Sequence, residues 1–391
     1  MSRQAVILAG GFGTRLAHIV TDVPKPMALI KNKPFLDYQI ELLRSNGFDD
    51  FIILTGYKSE IIENYYAKQS DIHCIKETTP LGTGGAVFNA FSHLEDEFFI
   101  INGDTFFDID FSILQEFSCN KPSVIALRYS TDISRYGIVD TDDKFVIKKF
   151  TEKGNLPDNY IDGYISGGIY YFKKSLLKEI CTHFEQTNIS MENDIFPLLV
   201  KEKTLYGLPV GGAFIDIGIP EDYYTAQAYI PQTLQQIKKP ALFIDKDGTL
   251  IVNTNYPHGK DIKIISSTLD LLNAYKNKGF QIIIVTNQAG IAKNKFSFQD
   301  MQENFDAITA FYHKNGIDFC DIEYCPYHID AVLPKYKYFS KARKPEAGMI
   351  LHACEKHRLD LRNSVMIGDN QAVDKIKLPY LKSVIIGDKN V

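Results

Sequence analysis

The stretch LFIDKDGTLIV, Leu242–Val252, carries an apolar run into Asp245 and places a second aspartate, Asp247, two residues on. On a strand, residues i and i+2 face the same side. Both carboxylates therefore reach the space beyond the strand end, and Gly248 lets the chain turn there. A calcium loop also begins Asp-x-Asp, but it needs glycine at its sixth position and glutamate at its twelfth. Leu250 and Tyr256 occupy those places, so the pair reads as chemistry at a sheet edge.

Working outward, the pattern recurs. IVTNQAG brings Thr286 and Asn287 to the end of a second apolar run, ARKP brings Arg343 and Lys344, and MIGDNQAVD brings Asp369 and Asp374 to the end of a third. Upstream, AVILA opens directly into the glycine loop LAGGFGTRL, with Gly10, Gly11, Gly13, Thr14 and Arg15. Glycines where a strand yields to a helix let backbone N–H groups approach phosphate oxygens. Two familiar phosphate loops do not fit. A dinucleotide fingerprint needs a third glycine where Leu16 stands, and a P-loop needs Gly-Lys-Ser/Thr.

Around that loop lie further polar groups. VPKPM sets Lys25 between two prolines that stiffen the segment. TTPLGTGGA is a second glycine-rich segment, suited to meet a flat base through backbone groups. INGDTFFD and AFIDIGIPEDY each end an apolar strand on an aspartate, Asp104 and Asp216. Two carboxylates at strand ends suit one Mg²⁺, a hard cation that prefers oxygen.

Apolar runs such as FIIL, FFIIN, ALFID, QIIIVT and SVMIG alternate with amphipathic stretches such as FLDYQIELLRSNG and TLDLLNAYKNKG, each ending in a glycine C-cap. This predicts an α/β fold with mainly parallel sheets. At 391 residues, two domains are expected. The polar stretch YIPQTLQQIKKP predicts a boundary: residues 1–230, a linker at 231–240, and 241–391, as two separately folded units. With 45% hydrophobic and 23% charged residues and a net charge of −5, the chain reads as soluble and globular. The charge argues against nucleic-acid and anionic-membrane partners. No signal-like start and no long apolar run is evident. Six scattered cysteines fit reduced thiols in a cytoplasm.

Over about residues 3–228 the chain resembles the sugar-1-phosphate nucleotidylyltransferases, through the order and spacing of five of these segments. The resemblance implies a Rossmann-like mixed sheet and transfer of a nucleotidyl group to a sugar 1-phosphate with release of pyrophosphate. It implies that Gly10, Gly11, Gly13, Thr14 and Arg15 hold the triphosphate, and that Lys25 stabilises charge at the α-phosphorus. Gly82 and Thr83 would line the base pocket, and Asp104 and Asp216 would hold Mg²⁺. Gly137, Glu152 and Lys153 would bind the sugar, with Lys153 paired to its phosphate. PLGTGGA is most similar to the segment of heptose-1-phosphate and mannose-1-phosphate guanylyltransferases, which favours GTP; related uridylyltransferases have similar glycine runs.

Over about residues 240–391 the chain resembles the haloacid dehalogenase superfamily. DKDGTLIV and VTNQAGIAKNKF are closest to heptose bisphosphate and histidinol phosphatases. That implies a second Rossmann-like domain in which Asp245 attacks phosphorus and Asp247 serves as acid, then base. Thr286 and Lys344 would bind phosphoryl oxygens, with Asn287 and Arg343 among the sugar-phosphate contacts. Asp245, Asp369, the Asp247 carbonyl and Asp374 would form the Mg²⁺ set. The subgroup often carries a zinc loop, Cys-x-His and then Cys-x-Cys before Arg-Lys-Pro. Here Cys325 remains, but Tyr327, Ser340 and Ala342 replace the other ligands and His328 falls one place late, so no zinc is expected. Packing of Pro334, Tyr336, Tyr338 and Phe339 is the expected substitute.

Together the resemblances imply removal of the 7-phosphate from D-glycero-D-manno-heptose 1,7-bisphosphate, then guanylyl transfer to the α-1-phosphate, feeding a surface glycan. Other sugars and nucleotides, a non-catalytic C-terminal docking module, and a nucleotide-sugar sensor are the alternatives. A homo-oligomer is compatible with the first resemblance.

Overall fold

The computed structural model describes residues 3–386 apart from 14, 17, 186–187 and 254–261. Its first strand, β1 (Gln4–Ala9), is apolar and almost wholly buried. Such a strand belongs inside a sheet covered on both faces. In chain order there follow β2 (Leu29–Ile30), β3 (Lys33–Pro34), β4 (Asp50–Thr55), β5 (Ile72–Lys76), β6 (Glu97–Asn102) and β7 (Thr105–Asp108). Then come β8 (Ser123–Ser130), β9 (Ile138–Thr141), β10 (Ile147–Thr151), β11 (Gly163–Lys173), β12 (Leu205–Pro209) and β13 (Ala213–Asp216).

Seven of these form one sheet in the order β12-β8-β11-β6-β1-β4-β5. β1 runs parallel to β4 and β6, whereas β11 runs antiparallel to β6 and β8, so the sheet is mixed, as the resemblance implies. β7 and β13 pair apart from it, with Asp216 opposite Thr105. That register brings Asp104 and Asp216 to one place.

The second sheet contains β14 (Ala241–Ile244), β15 (Gln281–Asn287), β16 (Asp321–Cys325), β17 (Val365–Gly368) and β18 (Lys382–Ile385). All pairs are parallel, in the order β16-β15-β14-β17-β18. β14 is central, so the ends of β15 and β17 flank Asp245. The helices Phe35–Ser45 and Thr268–Asn277 fall where the periodicity places them. Gly47 and Gly279 follow at φ +81° and +82°, the left-handed conformation that stops a helix.

Two expectations need correction. The first is the linker at 231–240. The helix Pro220–Gln235 continues through Pro231, so only residues 236–240 separate it from β14. An interior proline loses one helix hydrogen bond. Tertiary contacts hold this helix regardless: Ala226, Ile230 and Thr233 are buried, and Tyr223 and Gln227 donate to the Leu29 carbonyl at 2.9 and 3.0 Å.

The second is the separateness of the two units. One apolar cluster contains Tyr129 and Tyr164 of the first sheet together with Phe243, Met349, Cys354 and Leu359. The helix Gly348–His357 lies so close to the first sheet that a Cβ on Gly348 would meet the Tyr129 ring at 2.6 Å. A Cβ on Gly211 would meet Cys354 Sγ at 2.7 Å. Ion pairs cross the same seam: Arg128–Glu355 at 2.9 Å and Arg358–Asp108 at 2.7 Å. An apolar residue looks the same in sequence whether its partner lies on its own sheet or another, which is why the periodicity could not reveal the shared core. No helix among the described residues is long and apolar enough to cross a membrane.

Candidate functional sites

The first site opens at the carboxyl end of β1, between its two parallel neighbours. Crevices of parallel sheets lie at such strand ends. A cavity of about 460 Å³ is lined by Gly10, Gly11, Gly13, Arg15, Lys25, Gly82, Thr83 and Asp104, among others. The glycine loop, the lysine and the second glycine segment thus converge, although Gly10 and Thr83 lie 73 residues apart. Thr14 lies outside the described residues. Gly13 has φ +59°, and a Cβ there would crowd Lys25 Cβ at 3.1 Å, so glycine lets the loop lie along the lysine.

Lys25 Nζ lies 2.5 Å from Asp104 Oδ2 and 3.9 Å from Asp216 Oδ1. Burial, and then the charge of Asp104, push the Asp216 carboxyl above its usual range, while Lys25 pulls the other way. The Gly218 N–H donates to Asp216 Oδ1 at 2.7 Å and fixes its direction. Two adjoining carboxylates beside a single lysine form a hard oxygen pair that fits a divalent cation.

The second glycine segment differs from a loop offering free backbone groups. Gly82–Asn89 is helical, and the N–H groups of Gly84 and Gly85 donate to the Ile189 carbonyl at 2.8 and 3.1 Å. Thr83 Oγ1 accepts from Met191 N at 2.8 Å and donates to Glu192. One face of this helix, Gly82, Thr83, Ala86 and Asn89, lines the cavity.

Gly137, Glu152 and Lys153 stay together but stand apart from this lining. A Cβ on Gly137, at φ +76°, would strike Thr151 O at 2.4 Å and lie 3.2 Å from both Glu152 and Lys153. The described residues lining the cavity include none of these three.

Glu77 was missed in the sequence. Its carboxylate packs between Gly10 and Gly56 and accepts from Leu81 N at 3.0 Å, joining the two glycine segments. An acid directly after the strand β5 is the signal, close to the pattern that marked Asp104.

The second site is a cavity of about 320 Å³ at the carboxyl ends of β14, β15 and β17. Its lining includes Asp245, Asp247, Thr286, Asn287, Arg343, Asp369 and Asp374. Lys344 Nζ reaches Asp245 Oδ1 and Asp374 Oδ1, each at 2.6 Å, with its side chain 1% exposed. Burial raises the Asp245 carboxyl above its usual range; Lys344 opposes that, and Asp374 adds to it. Asp369 is raised by burial first and then by Asp374. Carboxylate oxygens of Asp245, Asp369 and Asp374 lie within 4.8 Å of one another. That all-oxygen set fits Mg²⁺.

Two glycines permit the crowding. A Cβ on Gly248, at φ +88°, would sit 2.0 Å from Asp369 Oδ2, and one on Gly368 would sit 2.2 Å from Asp374. Asp247 is held by Lys246 Nζ at 2.7 Å and lies 3.4 Å from Gln288 Nε2, which also donates to Thr286 Oγ1 at 2.9 Å. Lys246 and Gln288 were not singled out in the sequence. Lys246 sits between two motif residues and Gln288 directly follows one, and that adjacency is the signal.

Asn287 differs from the expected sugar-phosphate contact. Its amide donates to the Lys344 carbonyl at 3.1 Å and its oxygen accepts from Lys344 N at 3.0 Å. Both ends of the carboxamide therefore hold the lysine's backbone.

The loop lacking zinc ligands is packed by aromatics, with Tyr327 rings 6.1 Å from Tyr336 and 5.9 Å from Tyr338. Cys325 is buried, its thiol pushed up to about 11 by that burial, and lies 3.7 Å from Ser340 Oγ. His328 Nδ1 accepts from Asp330 N at 3.0 Å.

Known proteins separate along the same line as the two sheets. The nucleotidyl transferase family profile matches residues 4–233, and that of polynucleotide kinase 3 phosphatase matches 240–380. D-glycero-alpha-D-manno-heptose 1-phosphate guanylyltransferase of Campylobacter jejuni is 39% identical over 225 residues, 56% of this chain and 97% of its own. Its namesake from Aneurinibacillus thermoaerophilus is 40% identical over 230 residues, 57% of this chain and 96% of its own. The crystal structure of HddC from Yersinia pseudotuberculosis complexed with GMP-PN is 35% identical, with a TM-score of 0.50 over 57% of this chain and 98% of that one.

Proposed function

From the premise that this chain belongs to the nucleotidyl transferase family, and joins to it a phosphatase domain of the haloacid dehalogenase type, we propose that it performs two consecutive steps on one sugar. The second half removes the 7-phosphate of D-glycero-D-manno-heptose 1,7-bisphosphate. The first half joins the resulting α-1-phosphate to GTP, giving GDP-heptose and pyrophosphate. The observation that carries the order is the presence of both sites on one chain: a phosphatase acting on a sugar bisphosphate releases what the other half consumes. Identity of 39% and 40% to two heptose-1-phosphate guanylyltransferases supports the sugar and the base.

In the first half, the sugar phosphate is itself the nucleophile. The protein's task is alignment and neutralisation of phosphate charge. Gly10, Gly11, Gly13, Thr14 and Arg15 would cradle the triphosphate, Gly82 and Thr83 the base, and Lys25 the charge developing at the α-phosphorus. Asp104 and Asp216 would hold Mg²⁺. Gly137, Glu152 and Lys153 would take the sugar phosphate.

In the second half, Asp245 attacks the phosphorus and forms an aspartyl phosphate as the bond to the C7 oxygen breaks. Asp247 gives that oxygen its proton, then takes one from the water that cleaves the acyl phosphate. Thr286 and Lys344 hold the phosphoryl oxygens, Arg343 contacts the sugar phosphate, and Asn287 holds Lys344. Mg²⁺ on Asp245, Asp369, Asp374 and the Asp247 carbonyl would screen one anion from another.

The test is incubation of the purified chain with the heptose bisphosphate and each of GTP, UTP, CTP, ATP and dTTP, with products read by mass spectrometry. GDP-heptose as the main product supports the reading. Another nucleotide sugar replaces the base assignment, and loss of neither phosphate overturns the phosphatase step.

A further inference from the structure

The seam between the halves buries a carboxylate that neither site uses. Asp162, 2% exposed, lies just before β11 in the nucleotidyl transferase half. It accepts from the Ser340 hydroxyl and, at 2.5 Å, from Lys341 N. The Ala342 N–H donates to the Ser340 hydroxyl at 3.1 Å, which ties the next residue to the same cluster. Both donors to Asp162, a hydroxyl and a backbone N–H, are neutral groups, and both belong to the phosphatase half. The backbones run side by side there: Phe339 N donates to the Asn159 carbonyl at 2.8 Å, and Ile161 N to the Phe339 carbonyl at 3.4 Å.

A buried carboxylate without a cation is tolerated only while its donors stay in place. Burial raises the Asp162 carboxyl, and the hydrogen bonds from Ser340 and Lys341 N pull it back. Segment 340–342 therefore cannot drift without stranding a charge. Arg343 and Lys344 follow that segment directly. Lys344 in turn must set its Nζ 2.6 Å from both Asp245 and Asp374. Beyond Ser340–Ala342, the lysine's backbone is held by Asn287.

We propose that Asp162 is a positioning residue for the phosphatase site: across the domain seam, it holds Ser340–Ala342 so that Arg343 and Lys344 stand over the nucleophile. The nucleotidyl transferase half thus completes the phosphatase. Ser340 and Ala342 stand where the resembling phosphatases carry zinc cysteines, so a neighbouring domain's carboxylate orders the loop here. The inference rests on reading the second half as a phosphatase.

The test uses the full chain with Asp162→Ala and Asp162→Asn. It measures phosphate release from a sugar bisphosphate, pyrophosphate release from GTP with a sugar 1-phosphate, and hydrogen exchange. A misplacement of about 1 Å in a group that contacts the reacting phosphate costs about 100-fold, so Asp162→Ala should lower kcat for phosphate release by about that factor. KM and pyrophosphate release should stay unchanged, and exchange should quicken only in peptides spanning 339–344. Asp162→Asn, which keeps the shape and one acceptor, should recover about tenfold of the loss. Undiminished phosphate release in Asp162→Ala overturns the proposal. So does a parallel loss of both activities with faster exchange throughout both halves, the mark of a fold defect. Should the wild-type chain release no phosphate from any sugar phosphate, the phosphatase reading fails. Exchange then decides the clamp alone: acceleration confined to 339–344 sustains it, and none overturns it.

Discussion

Lys25 and Lys344 are the same device at two depths. Each sits between two aspartates at the mouth of a sheet, one bridging Asp104 and Asp216, the other Asp245 and Asp374. Lys25 and its partners keep side-chain exposures of 10%, 34% and 22%; Lys344 and its partners keep 1%, 10% and 1%. On the proposed function, the difference follows from who supplies the nucleophile. Where a bound sugar phosphate attacks, the site must admit two large anions and can stay open. Where a protein carboxylate attacks an anionic phosphate, repulsion is lowered by fixed positive charge close by in a dry setting, and that demands burial.

The comparison can be sharpened by removing each lysine in turn. Lys344→Ala should cut phosphate release at least about 10³-fold, because Asp245 and Asp374 lose the cation they share. Lys25→Ala should cut pyrophosphate release by about 10²–10³-fold, as for loss of one stabilising donor, with phosphate release intact. Steady-state assays of both products check both variants. Equal losses in both reactions from either variant would break the comparison.

The shared core predicts a smaller effect on both halves at once. Gly211→Val pushes a side chain into Cys354 and should cost about 1–3 kcal/mol of stability, lowering Tm for the two activities together. Retention of one activity above the temperature at which the other fails would show separate cores.

The smallest effect is electrostatic. His352, at the same seam, lies 3.0 Å from Glu323, and that hydrogen bond holds its pKa above the ordinary value. Its contribution to stability is therefore complete below about pH 6.5, the unfolded value, and disappears as pH rises through the higher folded one. Because its side chain is 47% exposed, the effect should be only a few tenths of a kcal/mol. Thermal melts at pH 6 and 8 should show it in the wild type and lose it in His352→Gln.

Both lysine sites were legible because each motif residue ends an apolar run or lies in a glycine- or proline-marked turn. Local rules place such residues at sheet edges, and β-register does the rest, as when Asp216 comes opposite Thr105. What sequence could not reveal depends on distant partners. Asp162 is an ordinary aspartate until Ser340 is found against it, 178 positions later. The helix passes Pro231 because Leu29 lies alongside, and nothing near the proline announces that. That Asn287 lies beside the second cavity was legible, but not what it holds, since its partner is a backbone group fifty-seven residues away.

The most direct test of two sites working in order is the Asp245→Asn variant supplied with GTP and either the heptose 1,7-bisphosphate or the heptose 1-phosphate, with pyrophosphate release measured. The account predicts pyrophosphate at the wild-type rate from the 1-phosphate and none from the bisphosphate. Equal release from the two feeds, or none from either, would contradict it.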